Sequence, residues 1–83
     1  MHHHQLLNLV RQQVHVQLIQ FGASEEGVLE ETILIRDGMY CGRRFFLEDF
    51  MAIWFIEEGE LKFFDPSGAV AAVEQVQSAM RAA

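Results

Sequence analysis

Cys41, Arg43 and Arg44 lie within four positions of one another, inside Met39-Tyr40-Cys41-Gly42-Arg43-Arg44-Phe45-Phe46. Cations beside a thiol favour its thiolate, the form that acts as a nucleophile or redox centre. A guanidinium pair beside a tyrosine hydroxyl has other uses, because the arginine fork matches carboxylate and phosphate oxygens. Tyr40, Arg43 and Arg44 are therefore the candidate ligand-binding set. Glu57, Glu58 and Glu60, with Glu48 and Asp49, offer carboxylates for acid–base chemistry or a divalent cation. His2, His3 and His4 would need a further metal ligand, and only His15 and Cys41 are available. Trp54 among phenylalanines has the makings of a stacking platform for single-stranded nucleic acid.

Set against each of these is a plainer reading. Cys41 is the chain's single cysteine, with no histidine at motif spacing, and a lone strand cysteine behaves as a small buried hydrophobe. The carboxylates fall in turns, where charge keeps a loop solvated. No calcium-loop, HExxH, P-loop, GxSxG or CxxC pattern occurs. No catalytic residue, metal site or cofactor is expected. In an acidic chain the arginines find carboxylates of the same chain or of a partner subunit, with Glu57, Glu58 and Glu60 as candidates. The histidine run marks residues 1–4 as a disordered terminus or tag remnant, leaving 5–83 as a single domain.

Composition narrows the function classes. The chain has 83 residues, 51% of them hydrophobic and 11% aromatic. A domain of that size buries only about 60–65% of its extended-chain surface, so apolar surface is left over and self-association follows. The net charge is −6, from six basic and twelve acidic residues, which repels a phosphate backbone and argues against nucleic acid as a partner. No run of about 20 apolar residues is present for a membrane span, and no signal-peptide pattern opens the chain. One cysteine cannot make an intrachain disulfide, which points to the cytoplasm.

These side chains are positioned by the elements the pattern predicts. Leu6, Val10, Val14, Leu18 and Phe21 draw one stripe along a helix over Gln5 to Phe21, stopped by Gly22. Ala23 to Glu31 is a charged connector. Thr32 to Arg36 then runs into Asp37-Gly38, a strong signal for a type I′ hairpin. Tyr40 to Leu47, Phe50 to Ile56 and Leu61 to Phe64 continue as strands, separated by Glu48-Asp49 and Glu58-Gly59. Asp65-Pro66-Ser67-Gly68 closes the sheet. Ala69 to Ala83, with Val73, Val76 and Met80 at helical spacing and many alanines, predicts a terminal helix. The expected fold is α+β in the order α-β-β-β-β-α, a four-stranded antiparallel meander between N- and C-terminal helices.

Counting outward from two-residue turns gives a register. Ile35 faces Tyr40, Leu34 faces Cys41 and Ile33 faces Gly42. Leu47 faces Phe50, Arg43 faces Trp54 and Gly42 faces Phe55. Ile56 faces Leu61 and Trp54 faces Phe63. Side chains alternate between faces, so Leu34, Met39, Cys41, Arg43, Phe45, Leu47, Phe50, Ala52, Trp54, Ile56, Leu61 and Phe63 share the expected core face. Arg43 is then expected over the Trp54 indole. The second face holds Ile33, Ile35, Tyr40, Arg44, Phe46, Met51, Ile53, Phe55, Glu57, Lys62 and Phe64, too apolar to stay bare. A bulge at Cys41-Gly42 would swap Arg43 and Arg44 between the faces. Tyr40, Arg44, Phe46, Ile53, Phe55, Lys62 and Phe64 are the predicted partner surface.

The hairpin from Ile33 to Phe45, with Ala52 to Glu58 and Leu61 to Phe64, resembles a group of short uncharacterised bacterial proteins. They share an IRDGxYCGRRF hairpin and an AxWFIEE strand. The likeness covers about 35 residues and carries no activity, ligand or catalytic residue; it implies a small stand-alone protein. The functional expectation is a non-catalytic protein-interaction module, homodimeric through apolar sheet or helix surface. The alternative is a small-ligand or anion-binding protein using Tyr40, Arg43 and Arg44.

Overall fold

The computed structural model describes residues 3–76. Its elements are α1 (His3–Gln20), β1 (Glu30–Arg36), β2 (Met39–Leu47), β3 (Phe50–Phe55), β4 (Glu60–Phe64) and β5 (Val70–Gln75). All five strands form one antiparallel sheet in the order β1-β2-β3-β4-β5. The fold is α+β with an antiparallel sheet, but it has five strands where four were predicted.

Helix α1 follows the apolar stripe. Val10, Val14 and Leu18 are fully buried, with Leu6 and Leu7 nearly so. The helix starts at His3, inside the stretch expected to be disordered. It ends as predicted at Gly22, where φ is 121°. Ala23 N–H donates to the Leu18 carbonyl and Gly22 N–H to that of Ile19, both at 3.0 Å, the hydrogen-bond pair of a Schellman cap. Beneath the helix lie Phe45, Leu47, Ala52, Trp54, Leu61 and Phe63, all fully buried.

The turns decide how well the register could be read. Asp37 (φ 54°) and Gly38 (φ 76°) make the expected two-residue turn. From Glu48-Asp49 the β2–β3 register follows as counted, with Leu47 opposite Phe50, Arg43 opposite Trp54 and Gly42 opposite Phe55. Between β3 and β4 the loop is longer: Gly59 N–H closes it on the Ile56 carbonyl at 3.2 Å, and Trp54 faces Leu61 while Ala52 faces Phe63. The slip is two residues, a full side-chain period, so every side chain keeps its predicted face.

The β1–β2 pair departs further. A bulge puts one extra residue, Cys41, into β2, so that Leu34 faces Gly42, Ile33 faces Arg43 and Ile35 still faces Tyr40. One inserted residue exchanges faces on one side of it. Ile33 and Ile35 therefore join the helix side with Arg43, and Leu34 moves to the opposite side, outside the core cluster under α1. Arg43 and Arg44 keep the faces counted from Glu48-Asp49.

The predicted C-terminal helix is not formed by its described part. Ala69 belongs to a hairpin turn and Val70–Gln75 is an edge strand on β4, while residues 77–83 lie outside the described residues. Alanine favours helix, but a lone helix of about 15 residues is marginal in water, whereas the edge of β4 offers a ladder. The turn commits the chain to it. Asp65 N–H donates to the Ala69 carbonyl at 3.0 Å and Gly68 N–H to that of Asp65 at 2.9 Å. The Asp65 carboxylate accepts from Ser67 Oγ (2.6 Å), Ser67 N–H (2.9 Å) and Ala69 N–H (3.1 Å). Pro66 then takes the position after Asp65 that suits its fixed φ, and Gly68 adopts a φ of 89°. A Cβ there would meet nothing within 4 Å, so only backbone strain is at stake. Gly68→Ala is expected to cost about 1 kcal/mol, lowering the melting temperature by roughly 5 °C; an unchanged midpoint would contradict this turn geometry.

Candidate functional site

The sheet carries a charged cluster on its helix side and, opposite, a face with no described element over it.

Glu31 opens β1 on the helix side, in register with Phe45. Both its oxygens are occupied. Arg11 of α1 donates Nε to Oε1 at 2.6 Å and Nη2 to Oε2 at 2.9 Å, and Arg43 of β2 donates Nη1 to Oε2 at 2.6 Å. Arg43 Nε donates to the Tyr40 hydroxyl at 3.0 Å, and its guanidinium lies 5.6 Å from the Tyr40 ring centroid. The aromatic partner is thus Tyr40, not the predicted Trp54. Arg11 holds the Glu31 carboxyl below the usual carboxylate range. Arg43 is raised, first by the Tyr40 hydroxyl and also by Glu31. On the other flank of α1, Gln13 Nε2 donates to Glu74 of β5 at 2.6 Å. Arg11 and Gln13 are about 200° apart around the helix, so these contacts brace α1 against both edge strands. The cluster anchors the helix and engages Arg43 within the chain through Nε and Nη1.

This geometry separates the candidate ligand residues. Tyr40 and Arg43, three apart, meet on the helix side because the bulge intervenes; Arg44 points the other way. The three therefore do not share one face of the sheet. Tyr40 also leaves the predicted partner surface for the same reason. Arg43's partner is Glu31, which sequence reasoning passed over in favour of Glu57, Glu58 and Glu60. The missed signal was diagonal: Glu31 is one same-face step along β1 from Ile33, the residue opposite Arg43.

Cys41 is half-buried, and its thiol donates to the Leu34 carbonyl at 3.5 Å. It lines a 460 Å³ concavity at the hairpin end with Arg36, Met39, Phe55 and Glu57. Among the described residues no three His, Cys, Asp or Glu side chains gather as a metal site. No described helix is long and apolar enough to cross a membrane.

The face away from α1 reads as three rows across the sheet. The first runs Leu34, Gly42, Phe55, Glu60, Gln75; the second Thr32, Arg44, Ile53, Lys62, Val73; the third Glu30, Phe46, Met51, Phe64, Val70. Phe46, Met51, Ile53, Phe55 and Phe64 are half-buried among themselves, with no described element over them. The cations are placed among the apolar rows. Arg44 and Lys62 flank Ile53 at the centre. Arg36 and Lys62 approach the Phe55 ring at 5.9 and 5.6 Å, and Lys62 sits 3.7 Å from Glu60. The described basic side chains outside the Glu31 cluster, Arg36, Arg44 and Lys62, are all on this face. The predicted partner residues Arg44, Phe46, Ile53, Phe55, Lys62 and Phe64 are brought together here, joined by Leu34, Met51 and Val73.

Comparison of the chain with known protein families, with curated proteins and with solved structures gives no match.

Proposed function

We propose that the protein is a small non-catalytic interaction module, homodimeric and cytoplasmic, whose open sheet face receives a partner protein. The observation that carries this reading is the row structure of that face, over which no described element lies. A solvated face of an antiparallel sheet alternates to polar residues; here phenylalanines, Met51 and Ile53 occupy those positions instead. Contiguous apolar surface of this kind marks an interaction site. The cations over Phe55 and beside Ile53, in a chain of net charge −6, suit a partner segment combining apolar side chains with carboxylates. No cofactor enters this reading, and the single cysteine without a disulfide partner supports the cytoplasmic assignment.

The test is affinity capture from native extract with mass spectrometry, comparing the natural chain with Arg44→Glu and Phe64→Thr. Both substitutions change the open face and leave the buried core under α1 intact. A partner held by the natural chain and reduced at least tenfold with both variants supports the reading. Identical captured sets for all three chains would remove the face from the function.

A further inference from the structure

Deepening the homodimeric part of that reading, we propose that two copies join edge to edge through β1, in antiparallel register about a two-fold axis at Ile33, forming a continuous ten-stranded sheet.

Among the described residues, strand β1 has no neighbour on its outer side. Its sequence, EETILIR, contains no proline or lysine, and its charges, Glu30, Glu31 and Arg36, stand at the two ends and leave Thr32 to Ile35 uncharged. The bulge beside it lies in β2, so β1 itself is unbroken. Ile33 and Ile35 are 54% and 55% exposed, although they share the helix-side face. An edge strand of this kind is a template for another strand.

Charge selects the occupant and the register. With Ile33 opposite its own copy, Glu30 of each chain faces Arg36 of the other. Glu31 then faces Ile35, and Thr32 faces Leu34. Glu30 and Arg36 share the open-face side by alternation, so the two ends of the interface each carry an opposite-charge pair. Registers shifted by two residues lose this. One sets Glu31 against Asp37; the other leaves Arg36 opposite Val28. Stacking two open faces about an axis at their centre would instead bring Arg44 and Lys62, which flank Ile53 there, against like charges. The opposite edge is less suited, because there the extra residue, Ala71, lies in the edge strand β5 itself.

A two-fold axis perpendicular to the sheet keeps both helices on one side. The two open faces then form one continuous surface, left free for the partner.

Sedimentation equilibrium of the full chain at micromolar concentration tests this. The natural chain is expected as a dimer of the 9.5 kDa protomer. Glu30→Arg or Arg36→Glu alone sets like charges against each other at both ends, raising the dissociation constant roughly tenfold. Combining them restores opposite charges and returns it to within about twofold. Ile33→Lys, placing two ammonium groups at the axis, gives monomer with an unchanged circular dichroism spectrum. A monomeric natural chain overturns both the edge pairing and the homodimeric reading. A dimer indifferent to Glu30→Arg and Ile33→Lys, or broken instead by Ile53→Asp on the open face, overturns the edge pairing and leaves the homodimer standing.

Discussion

Gly42→Ala is expected to lower the unfolding free energy by about 3 kcal/mol or more, at the upper end of overpacking effects. Gly42 is buried opposite Phe55 in the last pair of the β2–β3 ladder, next to the Ile56 N–H that donates to the Cys41 carbonyl at 3.0 Å. A Cβ at this position collides with the Trp54 carbonyl oxygen and comes within 3.1 Å of its carbonyl carbon. The obstacle is backbone, so no rotamer change relieves it. Relief would require β2 and β3 to separate where the fully buried Trp54 and Phe45 hold them under α1. A chain of this length has a total stability of about 4–12 kcal/mol, so the loss threatens folding itself. Urea denaturation followed by circular dichroism would measure it. A variant within 1 kcal/mol of the natural chain would show that the strands approach less closely than described.

The same position shows what sequence reasoning could reach. That a glycine belongs opposite Phe55 follows from counting out of Glu48-Asp49, a turn whose length its residues announce. That the backbone of Trp54 presses on it, rather than the Phe55 ring lying over it, depends on strand separation, which no residue pattern encodes. The open face was legible for a related reason. Arg44, Phe46, Ile53, Phe55, Lys62 and Phe64 sit on β2, β3 and β4, where the only error was a two-residue slip that preserves parity. Tyr40, Ile33, Ile35 and Leu34 were misplaced because the register was counted without the bulge that the interior Gly42 flags at Cys41-Gly42, and one residue of offset reverses faces. Strand β5 was lost to a conflict between levels. Alanine propensity speaks for helix, but the hairpin at Asp65–Ala69 and the free edge of β4 are tertiary facts, and they decide. The Glu31 cluster was hidden for a similar reason, since Arg11 and Glu31 are twenty positions apart and meet only once α1 packs on the sheet.

That cluster makes the second large prediction. Glu31→Gln is expected to cost about 1–2 kcal/mol at neutral pH. This is well below the 3–5 kcal/mol of a fully buried ion pair left unmatched, because water screens side chains that are 39%, 21% and 23% exposed at Arg11, Arg43 and Glu31. The variant loses more than a neutral hydrogen bond, since Arg11 and Arg43 are then left facing each other without the carboxylate between them. The effect carries its own pH signature. Arg11 and Arg43 depress the Glu31 carboxyl in the folded chain below its ordinary value of 4.5. Above about pH 4.5 the carboxylate is ionised in both states and its stabilisation is fully present. As pH falls further, the unfolded chain takes up the proton first, and stability drains away until the folded carboxyl titrates too. The natural chain should therefore exceed Glu31→Gln in stability at pH 7 and converge on it below the folded value. Asp65, also depressed, chiefly by the Ser67 hydroxyl, titrates in the same direction but is common to both chains and cancels from the difference. Denaturation midpoints from pH 7 to 3 measure the gap. A gap that stays constant would mean that the carboxylate's charge contributes nothing, and that α1 is held over β1 by the apolar stripe alone.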